Sequence, residues 1–78
     1  MSSAGQTFAV TPEQWAAVKE KVASLGFNIT ADSGKGDKDF TEVSWNYDGS
    51  GSLEIEAEGL FASKALGKIS DLVKEVTG

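Results

Sequence analysis

The strongest constraint on the fold is a strict alternation of apolar and acidic residues in the last part of the segment 45–58. Successive side chains of a β-strand point to opposite faces of its sheet. Leu53, Ile55 and Ala57 therefore face one side. The residues that face the other side are Glu54, Glu56 and Glu58. The segment predicts a β-hairpin with an apolar inner face and an acidic outer face.

The register of this hairpin follows from its apolar face. If Tyr47 stands opposite Leu53, the loop is Gly49–Gly51, a turn in which glycine is available for the left-handed position. On the outer face the same register sets Glu42 opposite Glu58, and facing like charges cost about a few tenths of a kcal/mol. The other pairs of this register are Trp45 with Ile55, Val43 with Ala57, Asn46 with Glu54, Ser44 with Glu56 and Asp48 with Ser52.

Capping chemistry predicts a first helix that begins after Thr11. Thr11 and Gln14 have the spacing of a capping box, and Pro12 suits the first helical position. Gly26 predicts a left-handed end of the helix. The apolar residues at helical spacing are Trp15, Val18, Val22 and Leu25.

The remaining elements are predicted from periodicity. Residues 27–32 alternate as a first strand, 33–38 read as a mobile glycine-rich loop, and 39–47 read as a second strand. After Gly59 the period becomes helical, and Gly67 inside that helix predicts a close approach of the backbone to a neighbour. The apolar stripe predicted for this second helix is Phe61, Ala65, Ile69, Leu72 and Val76, widened by Ala62, Leu66 and Val73.

These elements predict an α+β fold with the order α-β-β-β-α. The expected architecture is a three-stranded antiparallel meander with both helices packed on one face and the other face open to water. We expect residues 1–7 to be a flexible N-terminal tail and residues 8–78 to be a single domain.

Composition narrows the function. The 78 residues include no cysteine and no histidine, so thiolate chemistry is excluded and the commonest general base and metal ligand are absent. The net charge is −5, and all seven basic residues are lysine. We expect no enzymatic activity, no catalytic or metal-binding residue and no cofactor, and we expect nucleic acid to be an improbable partner.

The acidic outer face is the candidate functional surface. It predicts a small acidic non-enzymatic binding or regulatory domain that contacts the basic surface of a protein partner. A weak divalent-cation site at Glu42 and Glu58, or a merely solvated sheet face, are the alternatives. Alternation also directs Phe40 outward, as an interface anchor or as a ring tucked at the edge of the core. The candidate partner-binding residues are Phe40, Glu42, Glu54, Glu56 and Glu58.

A second function comes from a resemblance. The segment Ser63–Lys68 places Lys64 and Lys68 near the start of the second helix. The element order is similar to that of double-stranded-RNA-binding domains, which carry a basic cluster at that position. The resemblance implies an RNA-binding module that uses Lys35, Lys38, Lys64 and Lys68.

The sequence also suggests where the chain works. Residues 1–6 lack the basic and apolar regions of a signal peptide, and no apolar run approaches the length of a membrane span. We therefore expect a cytoplasmic protein without membrane contact, present as a monomer or a weak dimer.

Overall fold

A computed structural model describes residues 2–78 and shows an α+β fold of four strands and two helices. All strand pairs are antiparallel, and the order across the sheet is β1-β4-β3-β2. The elements are β1 (Ser2–Ala9), α1 (Pro12–Ala23), β2 (Ser33–Lys38), β3 (Thr41–Tyr47), β4 (Ser52–Gly59) and α2 (Ala62–Thr77).

The helices cover one face of the sheet. The chain leaves β1 at one edge, passes through α1 and returns as β2 at the opposite edge. α2 lies against β1, β4 and β3 and packs beside α1. Apolar residues of both helices and of the inner sheet face form a single core. The prediction of two helices on one face of an antiparallel sheet is therefore confirmed.

The central hairpin has the predicted register. Tyr47 pairs with Leu53, Trp45 with Ile55, and Glu42 stands opposite Glu58. The inward residues of β3 and β4 are buried and their outward neighbours are mostly exposed. The Asp48 amide donates to the Ser52 carbonyl at 3.0 Å and closes the loop.

Strand β1 corrects the predicted tail and the predicted number of strands. Residues 2–7, expected to be flexible, pair with β4 along the sheet edge, with Phe8 opposite Leu53. Only Phe8 among the inward side chains of β1 is large and buried, while Ala4 is small and Gln6 is polar and exposed. The strand therefore lacks the repeated apolar signal that strand prediction needs.

Strand β2 corrects the predicted first strand. Residues 27–32 have no strand structure, and the glycine-rich segment expected to be a loop forms β2 instead. The inward positions of β2 include Gly34, opposite Trp45, and Gly36, opposite Val43. A Cβ on Gly34 would lie 3.0 Å from the Trp45 ring. A side chain here would have to displace the indole by a few tenths of an ångström, so glycine suits this close approach.

Helix α1 begins and packs as predicted. The Gln14 amide donates to Thr11 Oγ1 at 3.2 Å, and the Thr11 amide donates to Gln14 Oε1 at 2.9 Å, which completes the capping box. Trp15, Val18 and Val22 are buried, and Leu25 beyond the helix is partly buried. Gly26 has the expected positive φ of 97°.

Helix α2 buries most deeply the side of the predicted stripe that carries Ala62, Leu66, Ile69 and Val73. Phe61 forms the N-cap and is exposed, while Ala65, Leu72 and Val76 are only partly buried. The predicted close approach at Gly67 is wrong, because a Cβ there would meet no atom within 4 Å. The buried residues of α2 are Ala62, Leu66, Ile69, Ser70 and Val73.

Tyr47 joins four parts of the fold. Its ring stacks on Trp15 with a centroid separation of 5.1 Å, and its hydroxyl donates to the Val10 carbonyl at 2.8 Å. Its amide donates to the Asp32 carbonyl at 2.7 Å. Burial raises the pKa of the Tyr47 hydroxyl, and the charges of Asp48 and Asp32 raise it further.

The two edges of the sheet differ in charge. The edge strand β1 has no charged residue, whereas the edge strand β2 contains Lys35, Asp37 and Lys38. Charged side chains discourage an edge from pairing with another molecule. Within residues 2–78, neither helix has the length and apolar character that crossing a membrane would require.

The open space at Gly67 predicts a stabilising substitution. Gly67→Ala should raise the free energy of unfolding by about 1 kcal/mol, because alanine loses less backbone entropy in a helix. Gly59→Ala is the contrasting variant, because Gly59 has φ of 124° and its Cβ would collide with the Phe40 carbonyl oxygen. It should lower stability by about 1–3 kcal/mol. Urea denaturation checks both, and destabilisation by Gly67→Ala would contradict the exposed position.

Asp48 predicts the acid sensitivity of the hairpin. Its Oδ1 accepts from the amides of Ser50, Gly51 and Ser52 at 2.8–2.9 Å, and these bonds lower its pKa from 3.8 to about 2. The stabilisation is therefore complete above about pH 4 and is lost as the pH falls through about 2.

The control for this prediction is Asp48→Asn, which keeps an acceptor oxygen but cannot titrate. Between pH 4 and pH 2, the urea midpoint of the natural chain should fall more than that of Asp48→Asn. Equal falls in the two proteins would show that the Asp48 charge does not stabilise the hairpin.

Candidate functional site

The outer face of the sheet is open, because both helices pack on the inner face. Glu54, Glu56 and Glu58 of β4 and Glu42 of β3 are all exposed on this face. The structure thus brings together the four glutamates of the predicted partner-binding set. Each glutamate occupies an outward position of its strand, and the residues before and after it point inward.

Carboxylates from three neighbouring strands stand side by side on this face. The strand registers pair Glu58 with Glu42 and Glu42 with Asp37, so all three share the outer face. We call Asp37, Glu42 and Glu58 the carboxylate row. Each like-charged pair in the row costs about a few tenths of a kcal/mol, so the row does not stabilise the fold.

A shallow trough of about 360 Å³ lies beside the row, between β1 and β3. Gly5 leaves it open, because Gly5 pairs with Glu56 and has no side chain to fill the space. A Cβ on Gly5 would lie 3.3 Å from Glu56 Cγ. The walls of the trough are polar and include Ser3, Ser44 and three of the glutamates.

The acidic face has no metal centre in the part of the chain that is described. No group of three or more acidic side chains within residues 2–78 is arranged to hold a metal ion. Glu42 and Glu58 are register partners, but the structure shows no third ligand for a cation.

Phe40 lies apart from the acidic face. It occupies the two-residue turn between β2 and β3, where Asp39 and Phe40 have φ of 53° and 63°. Positive φ at both central residues is the pattern of a type I′ turn, which normally contains asparagine and glycine. Phe40 is 84% exposed, so the expectation that its ring tucks under a loop is wrong.

Phe40 is one wall of a groove at the end of the sheet, which we call the end groove. The other main apolar walls are Leu60 and Phe61, which are 67% and 47% exposed. The groove has a volume of about 580 Å³ and shares no residue with the trough. Its lining is completed by Leu25, Phe27, Lys38, Asp39, Thr41, Lys64, Ala65 and Lys68.

Two hydrogen bonds donated by backbone amides fix the walls of the end groove. The Leu60 amide donates to the Phe40 carbonyl at 3.3 Å, and the Phe61 amide donates to Thr41 Oγ1 at 3.2 Å. Thr41 is buried, so its hydroxyl is a fixed acceptor beneath the groove. The β2–β3 turn and the start of α2 are therefore tied together.

The lysines proposed for RNA binding do not form one track. Lys38, Lys64 and Lys68 line the end groove, and Lys38 Nζ also donates to the Leu25 carbonyl at 3.0 Å. Lys35 pairs with Ser44 on the outer face of the sheet. Three of the four lysines therefore meet, but at an apolar groove.

The contribution of Leu60 and Phe61 was not predicted from the sequence. Phe61 was assigned to the buried stripe of the second helix, and Leu60 was assigned no role. The available signal was the pair of large apolar residues directly after Gly59, between the predicted hairpin and the second helix.

The backbone of Phe40 is left-handed, so we expect that this exposed side chain lowers the stability of the fold. Phe40→Gly should raise the free energy of unfolding by about 1 kcal/mol, because glycine has no steric penalty at positive φ. Phe40→Ala is the matched control, since it also removes the ring but retains Cβ and should give no such gain. Destabilisation by Phe40→Gly in urea denaturation would show that the ring supports the fold.

Comparisons of the chain with protein families, with curated proteins and with solved structures found no match. Any function assigned to the chain therefore rests on its own side chains and their charges.

Proposed function

We propose that the chain is a small acidic non-enzymatic binding domain that contacts a basic protein partner through its open sheet face. The carboxylate row is the observation that carries this proposal. Three neighbouring strands each present a carboxylate at the same level of the sheet, at a small cost in stability. A cationic side chain of a partner placed over the row would remove that repulsion.

The glutamates extend this acidic surface along β4. Glu54 and Glu56 continue the negative face beyond Glu58, and Glu42 borders it on β3. Clustered charges of one sign attract a partner of the opposite sign and increase the rate of association. A lysine- or arginine-rich surface is therefore the partner chemistry that fits this face.

The arrangement favours binding over catalysis. General acid–base chemistry with carboxylates needs two groups with different environments that converge on one substrate. The glutamates of this face are exposed and stand on an open sheet. We include in the same proposal a cytoplasmic location and a monomeric or weakly dimeric state.

RNA binding is the alternative function. The element order has an additional first strand, so it differs from the α-β-β-β-α order on which that resemblance was based. The favourable observation is the meeting of Lys38, Lys64 and Lys68 at the end groove. Salt-sensitive binding of duplex RNA that is lost on substitution of these lysines would support this alternative.

Charge reversal on β4 tests the proposed function. A lysine-rich peptide of about 12 residues should bind the chain at low salt, and Glu54→Lys/Glu56→Lys should weaken that binding at least about tenfold. Both side chains are exposed, so the variant should remain folded. Fluorescence anisotropy of the labelled peptide measures the affinity, and circular dichroism checks the fold.

The matched control is Glu20→Lys/Glu75→Lys, which makes the same change in net charge on exposed helix positions. This control should weaken binding far less than the change on β4. Equal effects of the two double variants would mean that only net charge matters, and the sheet face would lose its assigned function.

A further inference from the structure

The end groove combines features that stability does not explain. Three large apolar side chains at its rim are mostly or half exposed, although such residues usually lie in the core. One of them, Phe40, has a backbone conformation that disfavours a side chain. Contiguous exposed apolar side chains with polar borders are typical of a contact surface for another molecule.

The charge of the end groove is opposite to that of the whole chain. Lys38, Lys64 and Lys68 are three of the seven lysines, whereas Asp39 is the only one of the twelve acidic residues in the lining. The groove also meets the start of α2, where no side chain caps the helix and the first turn has no acidic residue. The positive end of the helix dipole adds to the lysine charges.

The spacing of two lysines indicates the shape of an acidic partner. Lys64 and Lys68 are separated by one helical turn on α2, so their side chains lie on the same face of the helix. Two carboxylates separated by one turn on a partner helix have the same spacing. The apolar residues of that helix would then contact Phe40, Leu60 and Phe61, as in other helix-in-groove complexes.

Other anionic occupants fit less well. A nucleic acid strand carries a phosphate at each nucleotide, so a strand that extended beyond the groove would approach Asp37 and Glu42, which are outside the lining. An anionic membrane is a broad surface that would meet the acidic remainder of a chain with net charge −5, whereas a short helix contacts only the groove and its lysines. A small fatty acid needs an enclosing cavity, whereas Phe40 and Leu60 protrude into solvent.

We propose that the end groove docks a short acidic amphipathic helix of a protein partner. Its apolar stripe packs on Phe40, Leu60 and Phe61, and two of its carboxylates pair with Lys64 and Lys68. This site is separate from the open sheet face and has the opposite charge preference. The domain then joins an acidic helix at one end to a basic surface on its sheet.

A designed peptide tests the groove. The probe is a helical peptide of about 18 residues, roughly five turns, with a leucine stripe flanked by glutamates. The control peptide has the same leucines and a lysine for every glutamate. The acidic peptide should shift the NMR amide signals of residues 38–41 and 60–68 in the full chain, and the lysine peptide should not.

Variants of the groove separate charge from apolar contact. Lys64→Glu/Lys68→Glu should weaken the binding of the acidic peptide at least about tenfold. Lys21→Glu/Lys74→Glu makes the same charge change elsewhere and should weaken this binding much less. Phe40→Gly should also weaken it at least about tenfold while the chain stays folded. Glu54→Lys/Glu56→Lys should leave this binding intact, which distinguishes the groove from the sheet face.

Several outcomes would overturn the proposal. These are no amide shifts at about 1 mM acidic peptide, equal binding of the lysine peptide in the groove, or equal effects of the two lysine double variants. If dodecanoate, single-stranded RNA or anionic phospholipid vesicles bound the groove more tightly than the acidic peptide does, the groove would have a different occupant. Self-association abolished by Lys64→Glu/Lys68→Glu in sedimentation would assign the groove to a second copy of the chain.

Discussion

The fold depends on the buried side chain of Tyr47. Its ring stacks on Trp15 of α1, its position in β3 faces Leu53 of β4, and its hydroxyl donates to the carbonyl of Val10. One side chain thus joins the central hairpin, the first helix and the end of the edge strand. Removing the hydroxyl would remove the donor that serves the buried Val10 carbonyl, and removing the whole ring would also remove the stacking on Trp15. The two proposed binding surfaces lie outside this centre, and the end groove is at the opposite end of β3 from Tyr47.

Local signals were sufficient to predict the hairpin and α1. The alternation of Leu53, Ile55 and their acidic neighbours determined the register, because a shift by one residue would bury the glutamates. Thr11 and Gln14 determined the start of α1 through two side-chain hydrogen bonds. In both cases the residues that decide the structure are close in sequence.

The two edge strands could not be predicted in this way. Gly34 and Gly36 occupy the inward positions of β2, where the Trp45 ring of another strand lies against Gly34 and the rings of Phe27 and Trp45 lie against Gly36. In β1 a single large buried residue, Phe8, is enough because β4 provides the partner strand. The glutamates of the candidate site were placed correctly by alternation. Alternation left the exposure of Phe40 open, because Phe40 has a positive φ in a turn that follows β2, the strand that alternation did not locate.

The unequal edges of the sheet limit how copies of the chain could assemble. The edge of β1 has no charge, whereas the edge of β2 has three charged residues. Two copies that paired through β1 would be related by a two-fold axis and would place a charged β2 at each outer edge. Such a continuous sheet has eight strands and no further uncharged edge, so its growth ends at the dimer. The distribution of charge between the two edge strands therefore disfavours growth of a fibre by edge pairing beyond such a dimer.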